Sequence, residues 1–166
     1  MVAPTQHLVL VGMMGTGKTT VARALGDRLG RPVLDSDAVI EARTGRTVRE
    51  IFASDGEAAF RTLETEVLRE ALESDTPSII AAAGGVVLSA TNRALLQDSG
   101  ARVVWLCADP ATLVERVKSG GHRPLLDDDP VRHTRLSWRQ AITHQVSQTC
   151  AAYFDDRQAD WQPEQR

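Results

Sequence analysis

Short apolar runs alternate along this chain with longer amphipathic stretches. Leu8–Val11, Val33–Leu34, Ser78–Ala82 and Val103–Leu106 read as strands, each ending at Gly, Ala or Asp residues that can turn the chain. Between them the pattern predicts helices over Lys18–Leu29, Asp37–Thr44, Val48–Ser54, Glu57–Glu73, Thr91–Asp98 and Pro110–Val117. The last helix has a defined start, because Asp109 can cap it and Pro110 suits its first position. Strands alternating with helices predict an α/β domain around a parallel sheet of four strands, with Ser147–Phe154 a weaker candidate for a fifth. The stretch from Gly120 to Pro130 is rich in Gly, Pro and Asp, which predicts a mobile loop at 119–130. Residues 155–166 are polar enough to form a flexible tail, leaving one domain over 1–154.

Composition narrows the function classes. A chain of 166 residues, 42% of them hydrophobic, suffices for one compact domain. A net charge of −3 provides no global basic field for nucleic acid or an anionic membrane, so neither is expected as a partner and any phosphate needs a local site. No apolar run approaches the roughly 20 residues that span a bilayer, and Met1–His7 lacks the pattern of a signal sequence, so a cytoplasmic location is expected. Two cysteines, Cys107 and Cys150, are too few and too isolated for a disulfide framework or metal cluster.

The strongest chemical signal is Gly12-Met13-Met14-Gly15-Thr16-Gly17-Lys18-Thr19, a full G-x-x-x-x-G-K-[ST] pattern between a predicted strand and a predicted helix. Glycines let the backbone wrap a phosphate closely, the helix N-terminus adds positive potential, and Lys18 adds a mobile charge. Gly12, Gly15, Thr16, Gly17, Lys18, Thr19 and Thr20 are therefore the candidate ATP-binding residues of a P-loop NTPase fold. The Thr19 hydroxyl is placed to serve Mg2+.

Asp35 and Asp37 follow the second predicted strand, at the carboxyl end where open α/β sheets gather ligands. Two readings stand for this pair: ligands for metal and substrate, or caps for the following helix. Arg61 is similarly open. Its planar fork suits a carboxylate, but Glu57 and Glu64 share its helix face and could hold it in an ordinary surface ion pair.

The ordered series Asp35-Ser36-Asp37-Ala38-Val39-Ile40-Glu41, Thr44-Gly45-Arg46, Ile51-Phe52, Gly56-Glu57 and Phe60-Arg61-Thr62-Leu63-Glu64 resembles the substrate-binding region of shikimate kinases. Ala83-Gly84-Gly85 and Gly121-His122-Arg123-Pro124-Leu125-Leu126 extend the resemblance, which covers roughly Leu8 to Pro130. It implies a three-layer α/β/α fold like that of nucleoside monophosphate kinases. It also implies transfer of the γ-phosphoryl group of ATP to the 3-hydroxyl of shikimate, on the route to chorismate and aromatic amino acids.

By the same resemblance Asp37 is the candidate base and hydroxyl contact, Arg61 binds the substrate carboxylate, and Gly84 and Gly85 offer backbone to the substrate. Arg123 is the lid arginine over the transferring phosphate, Asp35 serves the metal with Thr19, and Arg139 is the nearest second carboxylate-binding arginine. Arg116 and Lys118 are candidates to flank the adenine. The chain departs from the family pattern at Ala83, where a third glycine is usual, and around Arg139, which lacks the usual proline and tyrosine. The alternatives are a kinase for another small hydroxy acid such as gluconate, or a nucleotide-binding relative with impaired turnover. A monomer is expected.

Overall fold

A computed structural model describes residues 5–119 and 152–155. Its strands are β1 (Leu8–Val11), β2 (Val33–Asp35), β3 (Ile79–Ala81), β4 (Arg102–Cys107) and β5 (Ala152–Asp155), joined in one parallel sheet of order β2-β3-β1-β4-β5. The four predicted strands are all present. The candidate fifth forms at the C-terminal end of its predicted run and extends one residue further, so Asp155 belongs to the sheet rather than opening the tail. Pairing of Val104 with Ala152 through Cys107 with Asp155 covers the outer edge of β4.

Helices α1 (Lys18–Leu29), α2 (Ser36–Thr44), α3 (Val48–Glu73), α4 (Ala90–Asp98) and α5 (Pro110–Ser119) fall on the predicted stretches. Two of these were expected as separate helices, Val48–Ser54 and Glu57–Glu73, and they meet at a break in α3. Gly56 sits there at φ 82° and ψ 173°, a conformation open in practice only to glycine. A capping box between Thr47 and Glu50 starts α3, and the Asp109 carboxylate accepts from the Ala111 amide at 2.9 Å, as expected for the cap of α5. A short 3₁₀ turn at Val86–Leu88, which the apolar pattern did not predict, leads into α4.

Every residue of β1 is buried, because helices cover both faces of the sheet. Val9 and Val11 pack with Leu68, Ala71, Leu96 and Val103 on the side of α3 and α4, while Leu8 and Leu10 pack with Ala22 of α1 on the other. A third cluster, Ile40, Ile51, Phe60 and Val67, fastens α2 beneath α3. The chain leaves β1 toward β2 and β3 on one side and returns to β4 and β5 on the other. The carboxyl end of β1 therefore opens at the point where such sheets place their ligands.

Candidate active site

The loop after β1 lies against the neighbouring strand. Gly12 adopts φ 144°, and a Cβ there would stand 2.3 Å from the Leu106 carbonyl oxygen, so no larger residue can make this exit from the sheet. Gly17 then caps α1 without any side-chain hydrogen bond, leaving the first amides of the helix directed into the loop. The Thr16 hydroxyl donates to the Met13 carbonyl at 2.7 Å. Lys18 folds back over the loop, its ammonium donating to the Gly12 and Met13 carbonyls at 2.8 and 3.0 Å. Arg116, expected near the adenine, reaches the loop from α5 and donates to the Gly15 carbonyl at 3.4 Å.

The helix-cap reading of Asp35 holds, and its second oxygen meets Thr19. One carboxylate oxygen accepts from the amides of Asp37 and Ala38 at 3.1 and 3.4 Å, capping α2. The other accepts from the Thr19 hydroxyl at 2.6 Å, joining the two candidate metal ligands. The Ser36 hydroxyl donates to the Ala81 carbonyl at 3.2 Å, which fastens the start of α2 to β3. Asp35 and Asp37 thus face Gly15, Gly17, Lys18, Thr19 and Thr20 across a cleft of about 210 Å³.

Arg61 is held by both glutamates of its helix face. Its Nη1 donates to Glu64 at 2.6 Å, while Nε and Nη2 both donate to the Oε1 atom of Glu57 at 3.2 and 2.9 Å. The pairs differ in setting: the Glu64 side chain is 1% exposed and that of Glu57 is 59% exposed. Burial works against the Arg61 charge, yet the Glu64 and Glu57 carboxylates outweigh it and raise the guanidinium pKa. Burial also pushes the Glu64 carboxyl above its ordinary range, against the pull of Arg61, and the charge of Asp37 pushes it the same way.

The sequence reading gave Glu64 only as a surface partner. Its spacing from Phe60, Val67, Leu68 and Ala71 places it on the buried stripe of α3, and that periodicity was the available signal.

The glycine pair joins these two halves. A Cβ on Gly85 would stand 2.2 Å from Nη1 of Arg61, and one on Gly84 would stand 3.4 Å from the Met14 amide nitrogen. The turn after β3 therefore touches the phosphate loop with one glycine and the guanidinium with the next. Ala83, where the pattern departs, is buried at 5% exposure beside Ala82. Arg123, Arg139 and the Lys118 side chain lie outside the described residues.

The family model for shikimate kinase matches residues 14–161. The chain belongs to the shikimate kinase family. Among its relatives, the shikimate kinase of Thermobifida fusca is 51% identical over 134 residues, 81% of this chain and 76% of that protein. The shikimate kinase of Symbiobacterium thermophilum is 48% identical over 132 residues, 78% of this chain and 75% of that one. The structure of a shikimate kinase from Acinetobacter baumannii in complex with shikimate superposes with a TM-score of 0.85 at 35% identity, covering 92% of this chain and 84% of the other. Family membership makes the chain a kinase and agrees with the three-layer P-loop architecture described above. Among the described residues no helix is long and apolar enough to cross a membrane.

Proposed function

We propose that the cleft transfers the γ-phosphoryl group of ATP to the 3-hydroxyl of shikimate, giving shikimate 3-phosphate. The observation that supports this reading is the Gly84–Gly85 turn, which brings the loop after β1 and the Arg61 guanidinium against adjacent residues of one backbone segment. A small hydroxy acid bound by its carboxylate at Arg61 then presents hydroxyls toward Asp37, on the side of the phosphate loop.

The roles follow from charge and reach. Lys18 leaves the Gly12 and Met13 carbonyls to contact phosphate oxygens, and the uncapped amides of α1 add a fixed positive end. Asp37 takes the proton of the attacking hydroxyl. Arg61 holds the carboxylate, with Arg139 as its second clamp and Arg123 over the transferring phosphate. Thr19 and Asp35 present hard oxygen atoms 2.6 Å apart beside the loop, which suits magnesium better than a softer ion. When bound there, the ion neutralises phosphate charge. Most of the rate then comes from positioning and electrostatics rather than from covalent chemistry by the protein.

The Thr19–Asp35 pair supplies a direct test. Thr19→Val keeps the shape of the side chain and removes the hydroxyl, so the magnesium concentration for half-maximal rate is expected to rise by about tenfold or more, a loss typical of disturbed metal ligation. The KM for shikimate should move by less than about twofold. An unchanged magnesium titration would mean that Thr19 merely anchors Asp35.

A further inference from the structure

The Arg61 guanidinium is surrounded unevenly. Gly85 backbone and buried Glu64 occupy the Nη1 side, and neither can withdraw: Glu64 is 1% exposed, and moving Arg61 away from it would strand a charge out of water. The Nε–Nη2 edge, the geometry that best accepts a carboxylate through two parallel bonds, is taken by Glu57. Glu57 fills that edge poorly. A single oxygen receives both N–H groups, at 3.2 and 2.9 Å, and the side chain is 59% exposed, so it can be rehydrated at little cost. It is also the first residue after the Gly56 break, which sets it four positions before Arg61 at the head of a new helical segment.

We propose that Glu57 is an exchangeable internal carboxylate of the Arg61 fork, displaced by the carboxylate of the substrate. The inference rests on the reading of Arg61 as the substrate-carboxylate clamp. It makes Glu57 a specificity-determining residue. A ligand bearing a carboxylate replaces a single-oxygen contact with a two-oxygen contact, whereas a neutral ligand of similar shape has nothing to exchange and leaves Glu57 in place. Glu64 and Gly85 keep the guanidinium in place throughout, so the exchange is confined to the Nε–Nη2 edge.

The test measures binding of shikimate and of its uncharged methyl ester by calorimetry, to the whole chain and to the variants Glu57→Gln and Arg61→Ala. Removing a competing exposed ion pair is expected to lower the Kd of Glu57→Gln for shikimate by about two- to fivefold and to leave the ester within about twofold. A thermal melt of Glu57→Gln checks that this exposed substitution leaves the fold intact. Equal tightening of acid and ester would assign the effect to space rather than exchange and overturn the proposal. Weaker shikimate binding in Glu57→Gln, with Arg61→Ala also weakened, would make Glu57 a support for Arg61 and overturn the proposal while leaving the clamp standing. Unchanged shikimate binding in Arg61→Ala would remove the clamp reading and the proposal together.

Discussion

Lys18→Ala is expected to lower kcat for phosphoryl transfer by about 100- to 1,000-fold while the protein remains folded. The magnitude is that of losing one preorganised donor to charge developing in a transition state. The fold should survive because the Lys18 ammonium donates to the Gly12 and Met13 carbonyls of its own loop, and the core around β1 is built from Leu8, Val9, Leu10 and Val11. Those two contacts lie within the loop, so the thermal midpoint should change by no more than a few degrees. Steady-state kinetics beside a melting curve separates the two effects. Turnover at the unsubstituted rate would remove Lys18 from the chemistry.

Arg61→Ala is expected to lower kcat/KM for shikimate by about 100-fold, the usual loss on truncating one partner of a desolvated charge pair. It should also destabilise the protein by about 3 kcal/mol at neutral pH, because Glu64 would remain buried without its cation. The pH dependence of that second effect has a definite sign. Burial already holds the Glu64 pKa above the ordinary 4.5, and loss of Arg61 removes the main opposing pull. A carboxyl whose folded pKa is raised binds its proton more tightly in the folded state. Its favourable contribution is complete below the unfolded value and is lost as pH rises through the folded one. Urea unfolding should therefore find the deficit of Arg61→Ala smaller near pH 5 than near pH 8. Arg61→Lys keeps a cation beside Glu64 and should retain most of the stability. Loss of the fork should raise its KM for shikimate by about tenfold with little change in KM for ATP. Equal losses toward both ligands would make Arg61 a structural ion pair alone.

The phosphate loop was legible because its chemistry is carried by contiguous backbone: Gly12, Gly15, Gly17 and Lys18 must follow one another, and the strand and helix on either side are local features. The central strands were legible for a similar reason, since a parallel sheet covered on both faces needs uninterrupted apolar runs such as Leu8–Val11. Arg61 was harder. Its sequence neighbours at four before and three after describe a surface pair equally well, and only the fold brings Gly85 from another segment against the guanidinium. Burial of Glu64 hid behind its charge, although its helical spacing from Phe60 and Leu68 marked the inner stripe. The turn at Val86–Leu88 is not legible in the sequence because three apolar residues carry too little periodicity to specify a single turn. At Asp35 the spacing predicts the cap of α2, but the contact of its second oxygen with Thr19 spans 16 residues and comes only from the fold.

Substrate choice decides whether this cleft phosphorylates a small hydroxy acid held by its carboxylate. ADP release should be followed with magnesium and ATP in the presence of shikimate, gluconate or a nucleoside monophosphate, with phosphorus NMR of the product. Rapid turnover is expected with shikimate alone, with a single new phosphate monoester at its 3-hydroxyl. Faster turnover of gluconate or of a nucleotide, or ADP release with no phosphorylated shikimate, would contradict it.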